Sequence, residues 1–158
     1  MQSQLLAEAG QTEFLSSLIE GSFPDFRQIV PRDFSMRVEV DRDQLVGAVR
    51  RASYFARDNN DVIRLAVKNG EQEFDLGTLE ISANAAERGN NQSVIDASVT
   101  GDSVQVAFNA RYLADVLGVL RQQKVLLGLN GANQAGVVKP VGDDSYSHVI
   151  MPMVIGSN

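Results

Sequence analysis

One pattern occurs twice in this chain, and that repeat constrains the fold more than any other feature. Val38-Glu39-Val40-Asp41-Arg42-Asp43-Gln44-Leu45 and Val106-Ala107-Phe108-Asn109-Ala110-Arg111-Tyr112-Leu113 both run from strand to cap to helix, with leucine at the same offset. The alternating apolar residues have the period of a half-buried strand, and Asp41 or Asn109 supplies an N-cap. A stripe at helical spacing follows each: Leu45, Ala48, Val49, Ala52 and Phe55, then Tyr112, Leu113, Val116, Leu117 and Leu120. Strand-like runs follow each stripe, 62–67, 78–83 and 93–100 after the first and 125–129, 135–141 and 148–155 after the second. Residues 87–91 read as a turn. Two copies of a strand-helix-strand-strand-strand unit predict an α+β domain with both helices on one side of the sheets.

Ahead of the repeat the signals are weaker. Residues 2–11 read as mobile or weakly helical, 14–19 as a strand and 21–26 as a turn. Residues 28–31 continue as an extended connection, and Pro24 and Pro31 suit a semi-rigid link between domains. The first twenty residues hold Glu8, Glu13 and Glu20 and no positive charge, the wrong start for a secretory or organellar signal. With no apolar run of spanning length, the expectation is a cytoplasmic protein that does not enter a membrane.

Charge is distributed unevenly. Residues 44–57 carry Arg50, Arg51 and Arg57 without an acid, a net of +3. Residues 109–124 carry Arg111, Arg121 and Lys124 against Asp115, a net of +2. The whole chain is −6, which leaves −11 for the remainder. A basic helical layer on an acidic body is an electrostatic signature, although the total alone argues against an ordinary duplex-DNA binder.

No catalytic constellation emerges. There is no cysteine and a single histidine, His148, inside an apolar strand pattern, so neither a metal site nor another cofactor is expected. Asp58 with Asp61 and Asp143 with Asp144 lie in turn-rich segments, where carboxylates are ordinarily solvated. Two apolar surfaces stand out instead. Phe23-Pro24-Asp25-Phe26 places apolar residues in a turn, and in His148-Val149-Ile150-Met151-Pro152-Met153-Val154-Ile155 the proline puts the strand end at a sheet edge. The flanking methionines offer an adaptable binding surface.

Those segments carry a family resemblance. Leu18-Ile19-Glu20-Gly21-Ser22-Phe23-Pro24-Asp25-Phe26-Arg27-Gln28-Ile29-Val30-Pro31 resembles the junction between the middle and last domains of bacterial sliding clamps, the beta subunit of DNA polymerase III. Asn109-Ala110-Arg111-Tyr112-Leu113 resembles the start of that family's second inner helix, and Val149 to Ile155 its C-terminal tail. The resemblance covers residues 14–155.

It implies a DNA-clamp fold, with residues 1–31 as the end of the middle domain and linker, 32–155 as the C-terminal domain and 156–158 as a tail. It also implies a non-catalytic processivity factor of DNA replication, a head-to-tail homodimeric ring around double-stranded DNA held without regard to sequence. Replicative polymerase, clamp loader and repair proteins would dock through a short motif resembling Gln-Leu-x-Leu-Phe. By motif position the docking wall is Pro24, Gln28, Ile29, Ala135, Val149, Met151, Pro152, Met153, Val154 and Ile155. Tyr54 and Phe55 resemble ring-interface positions. Charge and helix face make Arg50, Arg51 and Arg57 the DNA-facing candidates, with Arg111 and Lys124 behind them. Gln28 and Val154 stand where the family often has a basic residue, and the connection 70–77 is longer than the family pattern. Two rival readings remain at this point: a free-standing peptide-binding adaptor that never meets DNA, and a small acidic enzyme using Asp58 and Asp61.

Overall fold

The two copies of the repeat interlock by exchanging partners across the sheet. The structure, a computed structural model, describes residues 3–23, 25–28, 30–31, 33–70, 76–85 and 89–154. A hairpin comes first, β1 (Gln4–Ala9) and β2 (Thr12–Ser17), followed by a 3-10 turn at Phe26–Gln28. The first copy is β3 (Met36–Asp41), α1 (Arg42–Ala56), β4 (Val62–Lys68), β5 (Gly77–Ala85) and β6 (Gly89–Gly101). The second is β7 (Val104–Asn109), α2 (Ala110–Val119), β8 (Lys124–Leu129), β9 (Gly136–Pro140) and β10 (His148–Ile150).

The hairpin corrects the helical expectation for residues 2–11. From Gln4↔Ser17 to Ala9↔Thr12 the segment pairs antiparallel with β2, and the ladder outweighs the helix propensity of Leu5, Leu6 and Ala7. Gly10 makes the two-residue turn possible, at φ 64, in the first central position that a tight hairpin reserves for glycine. The turn expected at 87–91 is also shorter, because Asn84↔Asn90 and Ala85↔Gly89 extend the β5–β6 ladder; residues 86–88 lie outside the described ones. Part of the long connection, residues 71–75, lies outside them too.

Eight strands join in the order β10-β9-β8-β3-β6-β5-β4-β7, all of them antiparallel pairs. The first strand of each copy pairs with the second strand of the other, and the register is the same both times. Met36, Val38 and Val40 face Leu129, Leu127 and Val125. Val104, Val106 and Phe108 face Val67, Leu65 and Ile63. Both helices begin alike as well. The Arg42 amide donates to the Gln123 carbonyl and the Ala110 amide to the Asp61 carbonyl, each at 2.8 Å. The Asp41 carboxylate accepts from the Gln44 amide, and the Asn109 side chain accepts from the Arg111 and Tyr112 amides.

α1 packs against α2 and over β4, β5 and β6. Leu45, Ala48, Val49, Ala52 and Ala56 of α1 and Leu113, Val116 and Leu117 of α2 meet the inward residues of the sheet in one core. Ala56 takes the fully buried place that the sequence assigned to Phe55, which is partly buried at the core margin. No polar or charged residue is buried among the described residues.

Candidate functional site

With 3.6 residues per turn, burying Leu45, Ala48, Val49, Ala52 and Ala56 turns Arg50, Tyr54 and Arg57 outward at i, i+4 and i+7. Arg50 and Arg51 are exposed. The Arg51 Nε leans toward β6, donating to the Ser93 hydroxyl at 3.4 Å. Arg57 is the C-cap, and its guanidinium lies over the Tyr54 ring, 5.7 Å from the centroid. The Tyr54 ring meets Phe55 edge-on, with centroids 5.4 Å apart. Tyr54 is half exposed, so an aromatic surface adjoins the basic one.

The second helix does not share this character. α2 ends at Val119, where Leu120 turns to extended backbone, and within it Arg111 is balanced by Asp115. The basic charge expected on both helical segments therefore belongs to α1, which carries Arg42, Arg50 and Arg51 against Asp43. Arg121 falls in the connection after α2, and Lys124 is the first residue of β8, exposed and opposite Asp41. Arg111 projects from the first turn of α2, and its Nε lies 2.8 Å from Asp61 Oδ2.

The residues expected to form the docking wall are spread over several segments. β10 lies at the end of the sheet, with Val149 opposite Val137 and buried Ile150 opposite Gly136. The strand expected to run to residue 155 leaves the ladder after Ile150. Pro152 has no N–H to continue it, and the Met153 amide donates instead to the Ala107 carbonyl of β7 at 2.8 Å, so the sheet curls until its two end strands lie close together. Met151 and Val154 are exposed, while Pro152 and Met153 are half-buried. Ala135, half-buried, immediately precedes β9, the partner of β10. Gln28 is exposed at the end of the 3-10 turn, in the lead-in rather than on the sheet. Pro24, Ile29 and Ile155 lie outside the described residues. A 250 Å³ pocket at the end of α2 is lined by Val119, Leu120, Pro140 and Tyr146 among others, and by no tail residue among the described ones.

The remaining titratable candidates have structural engagements. Asp61 holds Arg111, and Asp144 pairs with Lys139 at 2.6 Å. Asp143 accepts from the Ser145 amide at 2.9 Å and from Gln122 at 3.3 Å. The Ser145 hydroxyl, and then its amide, hold the Asp143 carboxyl below its ordinary range. His148 is half-buried opposite Val138. No group of three His, Cys, Asp or Glu residues among the described ones is placed to hold a metal ion, and no described helix is long and apolar enough to cross a membrane.

A doubled strand-helix unit, with its helices packed together and a basic face on one of them, defines a clamp-type domain. Residues 27–154 match the family described as DNA polymerase III beta subunit, C-terminal domain, and the chain belongs to that family. It is 32% identical to the beta sliding clamp of Pseudomonas putida over 152 residues, which is 96% of this chain and 40% of that protein. To the beta sliding clamp of Synechococcus elongatus it is 29% identical over 156 residues, 99% of this chain and again 40% of the relative. The crystal structure of the DNA polymerase III subunit beta from Pseudomonas aeruginosa superimposes with a TM-score of 0.83 at 31% identity, covering 98% of this chain and 40% of that one. The chain thus spans about two fifths of the length of these relatives.

Proposed function

We propose that this chain serves as the C-terminal domain, residues 32–155, of a ring-shaped processivity factor of DNA replication. Residues 1–31 supply the end of a middle domain and a linker, and 156–158 a tail. The ring is a head-to-tail homodimer that holds duplex DNA topologically and tethers polymerase, clamp loader and repair proteins. It acts by binding, without catalysis. The single observation that carries this reading is the outward face of α1, where Arg50, Arg51 and Arg57 stand on a body that is otherwise strongly acidic. A few cationic contacts to phosphate give attraction without sequence readout, and few enough contacts leave the ring free to slide.

Tyr54 and Phe55, at the exposed end of α1, are the ring contact of this reading. The tail supplies the wall for partner peptides, with Met151, Pro152 and Met153 as adaptable apolar surface. Burying one leucine and one phenylalanine side chain there contributes roughly 1.5–3 kcal/mol each. After ordering costs, affinity on the order of micromolar follows, weak enough for partners to exchange.

Reversing Arg50 and Arg51 to glutamate in the full-length ring tests the reading. Retention on circular duplex DNA should fall while binding of a Gln-Leu-x-Leu-Phe peptide is preserved. Unchanged retention would leave the adaptor reading in its place.

A further inference from the structure

We infer that Asp61 withholds Arg111 from nucleic acid, so that α1 alone makes the duplex contact; this rests on the duplex-binding reading above. The end of α1 and the start of α2 meet at the turn 57–61, where the Ala110 amide donates to the Asp61 carbonyl. Asn60 and Asp61 both take left-handed backbone there, at φ 52 and 57, a conformation uncommon outside glycine. The turn carries the Asp61 carboxylate inward, leaving its side chain 14% exposed while Arg111 is 71% exposed.

Only one carboxylate oxygen, Oδ2, meets the guanidinium; the other, Oδ1, is buried without a hydrogen-bond partner. An exposed ion pair is ordinarily given up easily to a phosphate. This one is not symmetric. A phosphate that captured Arg111 would strand a mostly buried carboxylate whose second oxygen is already unsatisfied, and an unpaired buried charge is the costly outcome. Asp61 is therefore a positioning residue that keeps one arginine out of the contact. Arg57, in the same turn, lies over the Tyr54 ring instead. The consequence is a duplex attached through one helix of each pair, with fewer phosphates engaged than the count of arginines suggests.

The test is the salt dependence of duplex affinity in the full-length protein, read as the slope of log K against log salt concentration. Each phosphate contact contributes about 0.9 to the slope. Arg57→Gln should flatten the slope by about 0.9, and Arg111→Gln should leave it unchanged. Asp61→Asn should steepen it by about 0.9, and the double variant Asp61→Asn, Arg111→Gln should cancel that gain. A merely structural role for Asp61 shifts the melting temperature and leaves the slope alone. If Arg111→Gln flattens the slope as much as Arg57→Gln does, the inference is overturned and the duplex reading stands. If neither Arg57→Gln nor the double variant Arg50→Glu, Arg51→Glu moves the slope, the duplex reading falls and takes the inference with it. Should Asp61→Asn fail to fold, the comparison of Arg111→Gln with Arg57→Gln still decides.

Discussion

Gly77 and Gly136 hold equivalent places in the two copies, yet alanine should be costly at the first and nearly neutral at the second. Each opens the third strand of its copy and is buried. A Cβ on Gly77 would stand 2.5 Å from the Lys68 carbonyl oxygen and 2.6 Å from Val99 Cγ2. The Lys68 carbonyl is backbone at the end of the β4–β5 ladder, so it retreats only by disturbing that pairing. A Cβ on Gly136 would meet Phe108 Cζ at 2.8 Å and Leu129 Cδ2 at 3.1 Å, the far ends of two side chains. Those shift by a few tenths of an ångström, at some cost because both are core residues. Overpacking costs about 1–3 kcal/mol, with Gly77 at the upper end. Replacing glycine within a strand returns about 0.5–1 kcal/mol of chain entropy. The net is a loss of about 2 kcal/mol for Gly77→Ala and about 0–1 kcal/mol for Gly136→Ala. In a domain of this size that corresponds to melting roughly 4–8 °C lower for the first and less than about 4 °C lower for the second. Thermal melts by far-UV circular dichroism, with urea titrations to check that the m-value is unchanged, read both. Equal losses, or the larger loss at Gly136, would refute the argument that a fixed carbonyl separates the two sites.

Further outcomes follow from single contacts. Asn109→Ala removes the acceptor for the Arg111 and Tyr112 amides; it should cost about 1 kcal/mol in urea unfolding, and a cost near zero would show that the cap is dispensable. Met153→Pro deletes the amide that donates to Ala107. NMR should show Met151 and Val154 shifting toward random-coil values with the β4–β7 ladder intact, and unchanged tail resonances would argue against that bond. Ser145→Ala removes the hydroxyl that lowers the Asp143 pKa most, so the carboxyl should titrate closer to its ordinary range in an NMR pH series. A carboxyl with a depressed pKa stabilises the fold above its ordinary range, and that contribution is lost as pH falls through the folded value, so the variant should be slightly less stable than the parent near neutrality and equal to it in strong acid.

Each strand-to-helix unit was legible because its signals are local. Alternation through Val38 and Val40, an acceptor at Asp41 and a stripe from Leu45 onward all act over a few residues, and the same holds from Val106 to Leu117. The exchange of partners was not legible, since Val40 facing Val125 and Phe108 facing Ile63 are choices between equally apolar strands. The charge reading failed on a boundary: Arg121 and Lys124 continue a basic tally, but Leu120 ends the helix before them. The Asp61–Arg111 pair was hidden because it depends on a left-handed turn in two residues that are not glycine. Of the docking wall, the proline break at Pro152 foretold a strand end but not the bond from Met153 to β7, which is a long-range contact.

The exchanged strands have a consequence for how the chain is held together. Neither half, taken alone, completes its own sheet: the first pairs β3-β6-β5-β4 but leaves β3 and β4 as bare edges until β8 and β7 cover them, and β7 of the second half has its ladder with β4 of the first. One repeat by itself could satisfy its edges only against a second copy, so the chain is equivalent to a two-fold dimer whose subunits are tethered through Asp102 and Ser103. The tether replaces a bimolecular encounter with a high effective concentration. In exchange, strands more than eighty residues apart in sequence, such as β3 and β8, must meet before the sheet is complete, which makes assembly slow and cooperative. A cut at that tether should yield two fragments that combine into a single domain when mixed.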